Sequence, residues 1–256
     1  MKIEERILKT IDGKDVVQIT TLDERWYKDE NGIFRPSLSW IASYVPASEY
    51  LIKWIAETGW EESQKIRNQA GVKGSKVHAI CDDLLKGKDV KMTDQYLNTQ
   101  TNLMEDITVE EWNCAMTFTK AWKDLDLKML MNEYSVIKEI CEGEDPNYIN
   151  RGFGGTVDIM AVDKNGQKWI IDIKTSKSIS PEHILQISGY KHAHTNPEEY
   201  KIAVLQVGYT MNKAGWKFTE IEDKYDLLLS AKKFWRDEYK DIQPLQKDYP
   251  LLLSLN

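Results

Sequence analysis

Apolar and polar positions recur with two different periods along this chain of 256 residues. Segments with apolar residues at helical spacing predict helices; they are 37–44, 48–58, 61–68, 73–86, 109–125, a segment that begins at 180, and 223–240. Short runs rich in Val, Ile and aromatic residues predict strands; they are 16–21, 25–28, 133–140, 154–162, 168–175, 201–209 and 216–221. The polar segment 92–107 lacks either period and predicts a mobile connection.

Acidic and basic side chains interrupt two of these strands. The first strand carries Asp158, the chain turns at Lys164-Asn165-Gly166, and the second strand carries Asp172 and Lys174. A three-residue loop would place Asp158 directly opposite Asp172, and the period of two along a strand would add Lys174 to the same face. A two-residue Asn-Gly loop would instead pair position 158 with 173 and send the carboxylates to opposite faces.

In the first of these registers the two Asp Cβ atoms would lie roughly 4.5–5.5 Å apart. Like charges at that separation cost on the order of several kcal/mol in a partly desolvated site unless a cation compensates them. Oxygen ligands on a rigid sheet suit Mg²⁺ or Mn²⁺, so the hairpin predicts a divalent-metal site. The alternative is a solvated Asp–Lys pair, but the same face carries Met160, Val162 and Ile170, and apolar strands rarely hold unpaired charge.

An ordered set of motifs surrounds this hairpin. Gly155-Thr156-Val157-Asp158, then Asp172-Ile173-Lys174-Thr175, and then Gln186 and Tyr190 resemble the motifs of the PD-(D/E)XK nuclease superfamily. The resemblance is to its RecB-type exonucleases, which include mitochondrial genome maintenance, phage and CRISPR-adaptation nucleases. It extends from about Pro36 to about Pro244.

The resemblance implies a fold and a division of the chain. The fold class would be α/β, with a restriction-endonuclease-like αβββαβ core in which helices flank a central mixed sheet. Residues 109–256 would form this core together with a C-terminal helix. Residues 1–108 would form an N-terminal hairpin and a helical cap that carries the histidine motif, integrated with the core as one domain.

The resemblance also implies roles for residues of the hairpin. Asp158, Asp172 and the backbone carbonyl of Ile173 would bind Mg²⁺ or Mn²⁺, and a DNA phosphodiester would be hydrolysed. Lys174 would position the nucleophile, deprotonate it or neutralise developing charge. A general base needs a lowered lysine pKa, whereas adjacent carboxylates raise it, so water positioning and charge neutralisation are the favoured roles.

Two further metal ligands would come from outside the hairpin. His78 lies at the border of an apolar helical stripe, in a segment that resembles the histidine-bearing helix of RecB-type enzymes. A lone His beside such a stripe is more often a core residue, and the downstream motifs favour the ligand role. Glu133 matches an acidic residue of many relatives; it would bind a second metal ion or orient Lys174, or it would cap the sheet edge.

Several residues are expected to contact DNA. Gln186 and Tyr190 match the Q-x-x-x-Y motif, whose residues abut the active site and contact DNA in this family; the alternative is helix packing onto the sheet. Lys73, Lys76 and Ser176 complete the predicted contacts. The remaining histidines downstream of the hairpin match no motif and are interpreted as structural; they are His183, His192 and His194.

The net charge of −7 and the pI near 5.3 argue against a protein that coats nucleic acid nonspecifically. The charge is unevenly distributed, however. Segment 64–91 has seven Lys or Arg against three Asp, a net charge of +4, and this segment contains His78. Either it creates positive potential where a phosphate backbone enters, or it is an ordinary solvated helix face.

The cysteines and the N-terminal sequence restrict the setting. Cys81, Cys114 and Cys141 are too few and too widely spaced for a disulfide framework, which favours a reducing compartment. Because no cysteine follows Cys141, we expect no iron–sulfur cluster of the kind found in some relatives. The first residues lack an apolar signal core and no apolar run would span a membrane, so we expect a cytoplasmic protein of a bacterium or phage-infected cell.

Aromatic residues are concentrated before the basic segment. Bases of single-stranded nucleic acid stack on such rings at about 1–3 kcal/mol each. Core packing is the commoner role, and we hypothesise that one or two line a channel for a single strand. The residues are Trp26, Tyr27, Trp40, Tyr44, Tyr50, Trp54 and Trp60.

The sequence therefore predicts a metal-dependent DNA exonuclease that acts on single strands or free ends in replication, recombination or repair. Recombination or replication proteins are candidate partners, and no membrane is involved. The alternatives are an endonuclease on the same core and a nuclease-fold protein that binds DNA ends without cutting. An acidic protein that mimics DNA would fit the charge but would leave the motifs unexplained.

Overall fold

The computed structural model describes residues 4–21, 24–244 and 254–255. Its strands are β1 (Glu4–Lys9), β2 (Asp15–Thr20), β3 (Arg25–Lys28), β4 (Phe34–Pro36), β5 (Gln95–Asn98), β6 (Leu103–Asp106), β7 (Lys128–Lys138), β8 (Phe153–Val162), β9 (Lys168–Lys174), β10 (Tyr200–Val207) and β11 (Trp216–Glu220). Its α-helices are α1 (Leu38–Ala42), α2 (Glu49–Thr58), α3 (Trp60–Leu85), α4 (Val109–Asp124), α5 (Pro181–His192) and α6 (Tyr225–Glu238). Parts of the two predicted regions, 1–108 and 109–256, lie outside the described residues; these parts are 1–3, 22–23, 245–253 and 256.

A five-stranded mixed sheet organises the larger part of the chain. Its strand order is β11-β10-β9-β8-β7, and only the β9–β10 pair is parallel. The parallel pair requires a crossover, which α5 provides between β9 and β10. Helices pack on both faces, so the protein has a mixed α/β fold with a mixed sheet flanked by helices.

Two apolar layers hold the helices on this sheet. On one face, Leu38 of α1, Tyr190 of α5 and Trp235 of α6 pack over Met160 and Ile170. On the other face, Val77 of α3 and Phe118 of α4 pack over alternate residues of β8, β9 and β10. The central strands are buried on both sides, which explains their nearly continuous apolar sequence.

The β8–β9 hairpin has the three-residue loop and the register that place Asp158 opposite Asp172. The pairs run from Val162 with Lys168 to Ile159 with Ile171. One further step along this register brings Asp158 opposite Asp172. Asp163 stabilises the loop because its carboxylate accepts hydrogen bonds from the backbone N–H groups of Asn165 and Gln167. The prediction of a common face is therefore confirmed.

The N-terminal region differs from the predicted hairpin and helices. The predicted hairpin exists as β2 and β3, but it forms the middle of a four-stranded antiparallel sheet in the order β1-β2-β3-β4. Strand β1 was not expected, because its alternation places the apolar Ile7 on the outer face, where 70% of it is exposed. Isolated bridges from Thr10 to Ser135 and from Ser37 to Gly154 join this sheet to the central one.

Two other expectations were wrong. Segments 61–68 and 73–86 form the single 26-residue helix α3, which continues through Gly71 and Gly74. Each glycine costs about 1 kcal/mol in a helix, and packing of both ends of α3 outweighs this cost. Segment 92–107 is not a structureless connection, because β5 and β6 form a hairpin whose turn is held by Asn98.

Candidate metal centre

A cleft of about 780 Å³ lies where β7, β8, β9 and α3 meet, and the N-terminal sheet forms part of its wall. Ten of the eleven residues predicted for the site line this cleft. They are Lys73, His78, Glu133, Asp158, Asp172, Ile173, Lys174, Ser176, Gln186 and Tyr190. Elements from distant parts of the sequence therefore converge on one place.

Three predicted ligands form a compact donor group inside the cleft. One donor atom each from His78, Glu133 and Asp158 lies within 4.8 Å of the others. The three residues come from α3, β7 and β8, so helix and sheet must pack correctly before the group exists. One imidazole nitrogen and two carboxylates are a donor set that divalent cations accept.

Asp158 is bound to two neighbours that fix its carboxylate. One oxygen accepts the backbone N–H of Ile173 at 2.7 Å, and the other lies 3.3 Å from Nδ1 of His78. Nε2 of the same imidazole lies 2.9 Å from the carbonyl oxygen of Ile173. Both acceptors are satisfied when the ring is doubly protonated, so His78 is an imidazolium in this arrangement.

Burial opposes protonation of His78, but the Asp158 carboxylate outweighs burial and raises the pKa of the imidazole to about 9. Burial likewise acts to raise the pKa of Asp158, and the charges of His78 and Lys174 lower it below its ordinary value. The imidazolium therefore compensates the carboxylates of the donor group. A divalent cation in the group would take over this compensation.

The backbone at Glu133 is unusual for a strand. Its φ is +47°, a left-handed conformation that non-glycine residues seldom adopt. Such conformations cost on the order of 1–3 kcal/mol and are frequent at functional sites. Burial and the nearby Asp158 carboxylate raise the pKa of Glu133, while Arg6 opposes this shift from 3.2 Å. Glu133 thus contributes a carboxylate oxygen to the donor group from the edge strand β7.

Asp172 stands beside the donor group and is paired with Lys174. The ammonium lies 2.9 Å from one carboxylate oxygen and 2.7 Å from the other, and only 3% of the Asp172 side chain is exposed. Burial raises the pKa of Asp172, and the lysine charge opposes this effect. Burial acts to lower the pKa of Lys174, but Asp172 and Asp158 raise it above its ordinary value. Lys174 therefore carries its charge at neutral pH.

Two of the predicted metal ligands are thus engaged elsewhere in this structure. The donor group contains Asp158 but not Asp172, which Lys174 neutralises. The carbonyl oxygen of Ile173 is bound by His78. The sequence indicated that these groups lie together, whereas the choice of partners depends on where the lysine and the imidazole are placed.

Gln186 and Tyr190 meet one turn apart on α5, at the edge of the cleft. The Gln186 amide donates a hydrogen bond of 2.6 Å to the Tyr190 hydroxyl. The tyrosine ring is buried against β8, where a Cβ at Gly155 would lie 2.6 Å from its Cε1 atom. Gly155 thus makes room for Tyr190, and the pair combines helix packing with a polar edge on the cleft.

The predicted DNA-contacting lysines have different environments. Lys73 lines the cleft and pairs with the exposed Glu110 at 2.9 Å. Lys76 is only 2% exposed, and its ammonium binds Glu111 at 2.9 Å and the carbonyl of Asp106 at 2.8 Å. DNA cannot reach Lys76, so the prediction for this residue is wrong. Its position on the apolar side of α3 is not evident from the charge pattern.

The downstream histidines all have structural contacts. Nδ1 of His183 accepts the backbone N–H of Ser180 at the start of α5, and burial lowers the pKa of this imidazole to about 4. His192 binds Asp223, and His194 bridges the Tyr134 hydroxyl and the carbonyl of Tyr190. His183 nevertheless lines the cleft, near Lys174.

Several polar residues of the cleft were missed by the sequence interpretation, among them Asp82, Arg6, Gln18 and Arg25. Asp82 lies one turn after His78 on α3 and hydrogen-bonds Asn132 of β7. Arg6 and Gln18 reach the cleft from β1 and β2. The i, i+4 spacing of His78 and Asp82 could have indicated Asp82 from the sequence. The residues of the N-terminal sheet could not be found without knowing how that sheet packs.

The aromatic residues of the N-terminal region have different environments, because Tyr50 and Trp60 are 80% and 68% exposed whereas others belong to the core. Trp26 and Trp40 are buried and pack edge to face, and Trp40 also packs against Trp235 of α6. Of the seven rings, Tyr27 lines the cleft, and it is 2% exposed. Replacing Trp40 with Leu would therefore perturb the core, so that substitution does not test a strand-binding channel.

We expect the imidazole of His78 to titrate with a pKa of about 9 in the metal-free protein. The value lies above the ordinary 6.5 or so of unfolded chains. The imidazolium therefore adds stability that is complete below about pH 6.5 and is lost as the pH rises through about 9. Histidine side-chain NMR signals followed from about pH 5 to about pH 10 would measure this pKa.

The control for this titration is Asp158→Asn, which removes the neighbouring charge and keeps the side-chain shape. It is expected to lower the pKa of His78, because the carboxylate that stabilises the imidazolium is removed. A His78 pKa at or below the ordinary value in the wild type would contradict the arrangement.

No family model matches the chain. No curated protein is significantly similar to it. A solved structure described as "Crystal structure of SSO0001" aligns with 17% identity and a TM-score of 0.33, over 50% of this chain and 58% of that chain. A similarity of this size carries no argument about the reaction.

Two further observations concern the setting of the protein. Among the described residues, every helix is too short or too polar to cross a membrane. Cys81, Cys114 and Cys141 are free thiols, and all three are buried. Burial raises the pKa of each thiol, so these cysteines are unreactive parts of the core.

Proposed function

We propose that this protein is a metal-dependent DNA exonuclease that hydrolyses phosphodiester bonds in single-stranded DNA or at DNA ends. The observation that carries the proposal is the donor group of His78, Glu133 and Asp158 with the Asp172–Lys174 pair beside it, in one cleft. The element order α4-β7-β8-β9-α5-β10 supports a restriction-endonuclease-like αβββαβ core of the RecB type. Helices α1 to α3 and the N-terminal sheet would cover this core.

The residues present fit a divalent cation such as Mg²⁺ or Mn²⁺. His78, Glu133 and Asp158 would hold it, and Asp172 with its partner Lys174 lines the same cleft. The cation supplies Lewis-acid activation of the phosphodiester and of an attacking water. Without a cation, His78, Lys174 and Arg6 compensate the three carboxylates. Binding of a cation by His78 would release the proton of the imidazolium.

Lys174 acts as a fixed positive charge in this proposal. Its pKa is raised, so it does not accept a proton from water at neutral pH. Its ammonium, held by both oxygens of Asp172, stabilises negative charge that develops on the phosphoryl group. One charged hydrogen bond and a second ion-pair contact hold it in place, so little reorganisation is needed during the reaction.

Gln186 and Tyr190 orient the substrate at the edge of the cleft. One amide N–H of Gln186 is used by Tyr190, and its second N–H and its carbonyl have no partner among the residues that the structure describes. An amide with free donor and acceptor groups can bind a phosphate oxygen or a base edge. The small residues on the facing side of α3 leave room for a polynucleotide backbone; they are Ala70, Gly71, Gly74 and Ser75.

Cleavage assays on three labelled substrates test this function. Wild type is incubated with Mg²⁺ or Mn²⁺ on linear single-stranded, linear duplex and circular single-stranded DNA, beside Asp172→Asn, which keeps the shape of the buried side chain. We expect the wild type to degrade linear single strands and to spare circles. The variant is expected to lose most activity, because Lys174 loses its charged partner.

The outcomes separate the candidate functions. Cleavage of circles would favour an endonuclease on the same core. Binding of DNA ends without cleavage in either metal would favour a non-cleaving end-binding protein, although Asp158, Asp172 and Lys174 are all present. A wild-type protein that neither binds nor cleaves DNA with either metal would refute the proposal.

A further inference from the structure

We propose that Arg6 and Arg25 of the N-terminal sheet form a phosphate clamp, and that Arg6 stays paired with Glu133 until a cation binds to the donor group. This inference rests on the proposed function. In this inference the N-terminal sheet binds the substrate backbone. Arg6 exchanges its partner Glu133 for a phosphate of that backbone.

The register of the N-terminal sheet directs these side chains into the cleft. Arg6 pairs with Gln18 across β1 and β2, and Gln18 pairs with Tyr27 across β2 and β3. Directly paired residues share a face, and Arg25 joins this face because it lies two residues before Tyr27. All four residues line the cleft. One face of the sheet therefore forms a polar and basic wall.

This wall is fixed rigidly to the central sheet. Gln18 donates hydrogen bonds to the Tyr27 hydroxyl at 2.9 Å and to Oγ1 of Thr156 at 3.1 Å, and the two hydroxyls are themselves 3.1 Å apart. Thr156 lies two residues before Asp158 on β8. Gly154 permits the contact, because a Cβ there would collide with the Tyr27 side chain. The basic wall thus keeps a set distance from the donor group.

Arg6 already contacts the donor group. Its guanidinium lies 3.2 Å from a carboxylate oxygen of Glu133, and 52% of the arginine side chain remains exposed. The carboxylate is 18% exposed and lies beside Asp158, so it needs a positive neighbour. A divalent cation would provide that charge and weaken the ion pair between Glu133 and Arg6. The freed guanidinium matches the geometry of a phosphate, which it binds through two parallel hydrogen bonds.

Arg25 and Lys73 extend the positive rim. Arg25 is exposed and makes no ion pair with any residue in the described part of the chain. Lys73 lines the opposite wall, and its partner Glu110 is 78% exposed, a type of ion pair that contributes little. Cations thus surround an acidic floor. This arrangement lets a chain with a net charge of −7 attract a polynucleotide backbone locally.

Three variants distinguish this role from a structural one: Arg6→Gln, Arg25→Gln and the control Lys9→Gln. Lys9 is on the same strand as Arg6, but it points to the opposite face and pairs with the exposed Asp15. The first measurement is Mn²⁺ binding by calorimetry without DNA. We expect Arg6→Gln to bind Mn²⁺ about three- to tenfold more tightly, since a competing cation is lost, and the other two variants to match the wild type.

The second measurement is binding of a fluorescent single-stranded oligonucleotide, with Mn²⁺ and in the cleavage-deficient Asp172→Asn background. Each clamp arginine is expected to contribute about five- to tenfold in affinity. Its loss should reduce the slope of log Kd against log salt by about 0.7, the value for one phosphate contact to a single strand. Arg6→Lys is expected to restore part of this slope, because it restores the charge without the planar fork.

The inference is overturned if Arg6→Gln matches Lys9→Gln in both measurements. If the wild type nevertheless cleaves DNA, the proposed function stands and only the clamp fails. If the wild type neither binds nor cleaves DNA with either metal, both fail. Thermal unfolding of each variant checks that these exposed substitutions leave the fold intact.

Discussion

Replacing Asp158 with Asn is expected to reduce metal-dependent DNA hydrolysis by about 1,000-fold or more, which corresponds to roughly 4 kcal/mol of transition-state stabilisation. Asp158 links the parts of the site, because it joins the donor group, binds His78 and accepts the N–H of Ile173. Asparagine keeps the acceptor for Ile173 but removes the charge that would hold a cation. Initial cleavage rates on linear single strands, with metal in excess, measure the effect.

The matched control is Asp126→Asn. Asp126 lies in the exposed turn between α4 and β7 with a φ of +51°, a conformation that asparagine tolerates well. It undergoes the same chemical change far from the cleft and should retain wild-type activity. A folded Asp158→Asn protein with less than a tenfold loss of activity would contradict the assignment of the donor group.

Replacing Lys76 with Met is expected to lower the free energy of unfolding by about 3–5 kcal/mol, because Glu111 is left as an uncompensated buried charge. The two groups are 2% and 5% exposed and lie 2.9 Å apart. Glu111 also accepts the backbone N–H of Thr108 at the start of α4, so the pair ties α3 to the first turn of α4. Urea denaturation at 25 °C measures the free energy.

Two further variants complete this experiment. Lys76→Met combined with Glu111→Gln should recover most of the lost stability, since glutamine still accepts from Thr108 and no charge remains buried. Lys73→Met, one turn earlier on the same helix, removes an exposed pair with Glu110 and should cost less than about 1 kcal/mol. Equal losses for Lys73→Met and Lys76→Met would contradict the stabilising role of the buried Lys76–Glu111 pair.

Charge pattern alone could not separate these two lysines. Both lie in the basic segment 64–91, three residues apart. Their environments differ because the packing of α4 and the β5–β6 hairpin covers one side of α3 and leaves the other open to the cleft. The sequence interpretation assumed that a basic segment is an exposed face, and tertiary contacts overrode this assumption for Lys76.

The N-terminal region illustrates a second limit. Strand β1 and the continuity of α3 were missed, since an edge strand with exposed Ile7 and a helix with two glycines both break the usual local signals. Arg6 was consequently overlooked. Its place beside Glu133 depends on pairing of β1 with β2 and on the bridge from Thr10 to Ser135, contacts between segments far apart in the chain.

The sequence by itself determined the β8–β9 hairpin and limited its loop to two lengths, of which the three-residue loop places Asp158, Asp172 and Lys174 on a common face. These features are local, because a strand period of two and a short loop leave few alternatives. Only the tertiary structure decided that His78 and Glu133 join Asp158, that Asp172 pairs with Lys174, and that the N-terminal sheet closes the cleft. Those choices depend on long-range packing, which local periodicity does not encode.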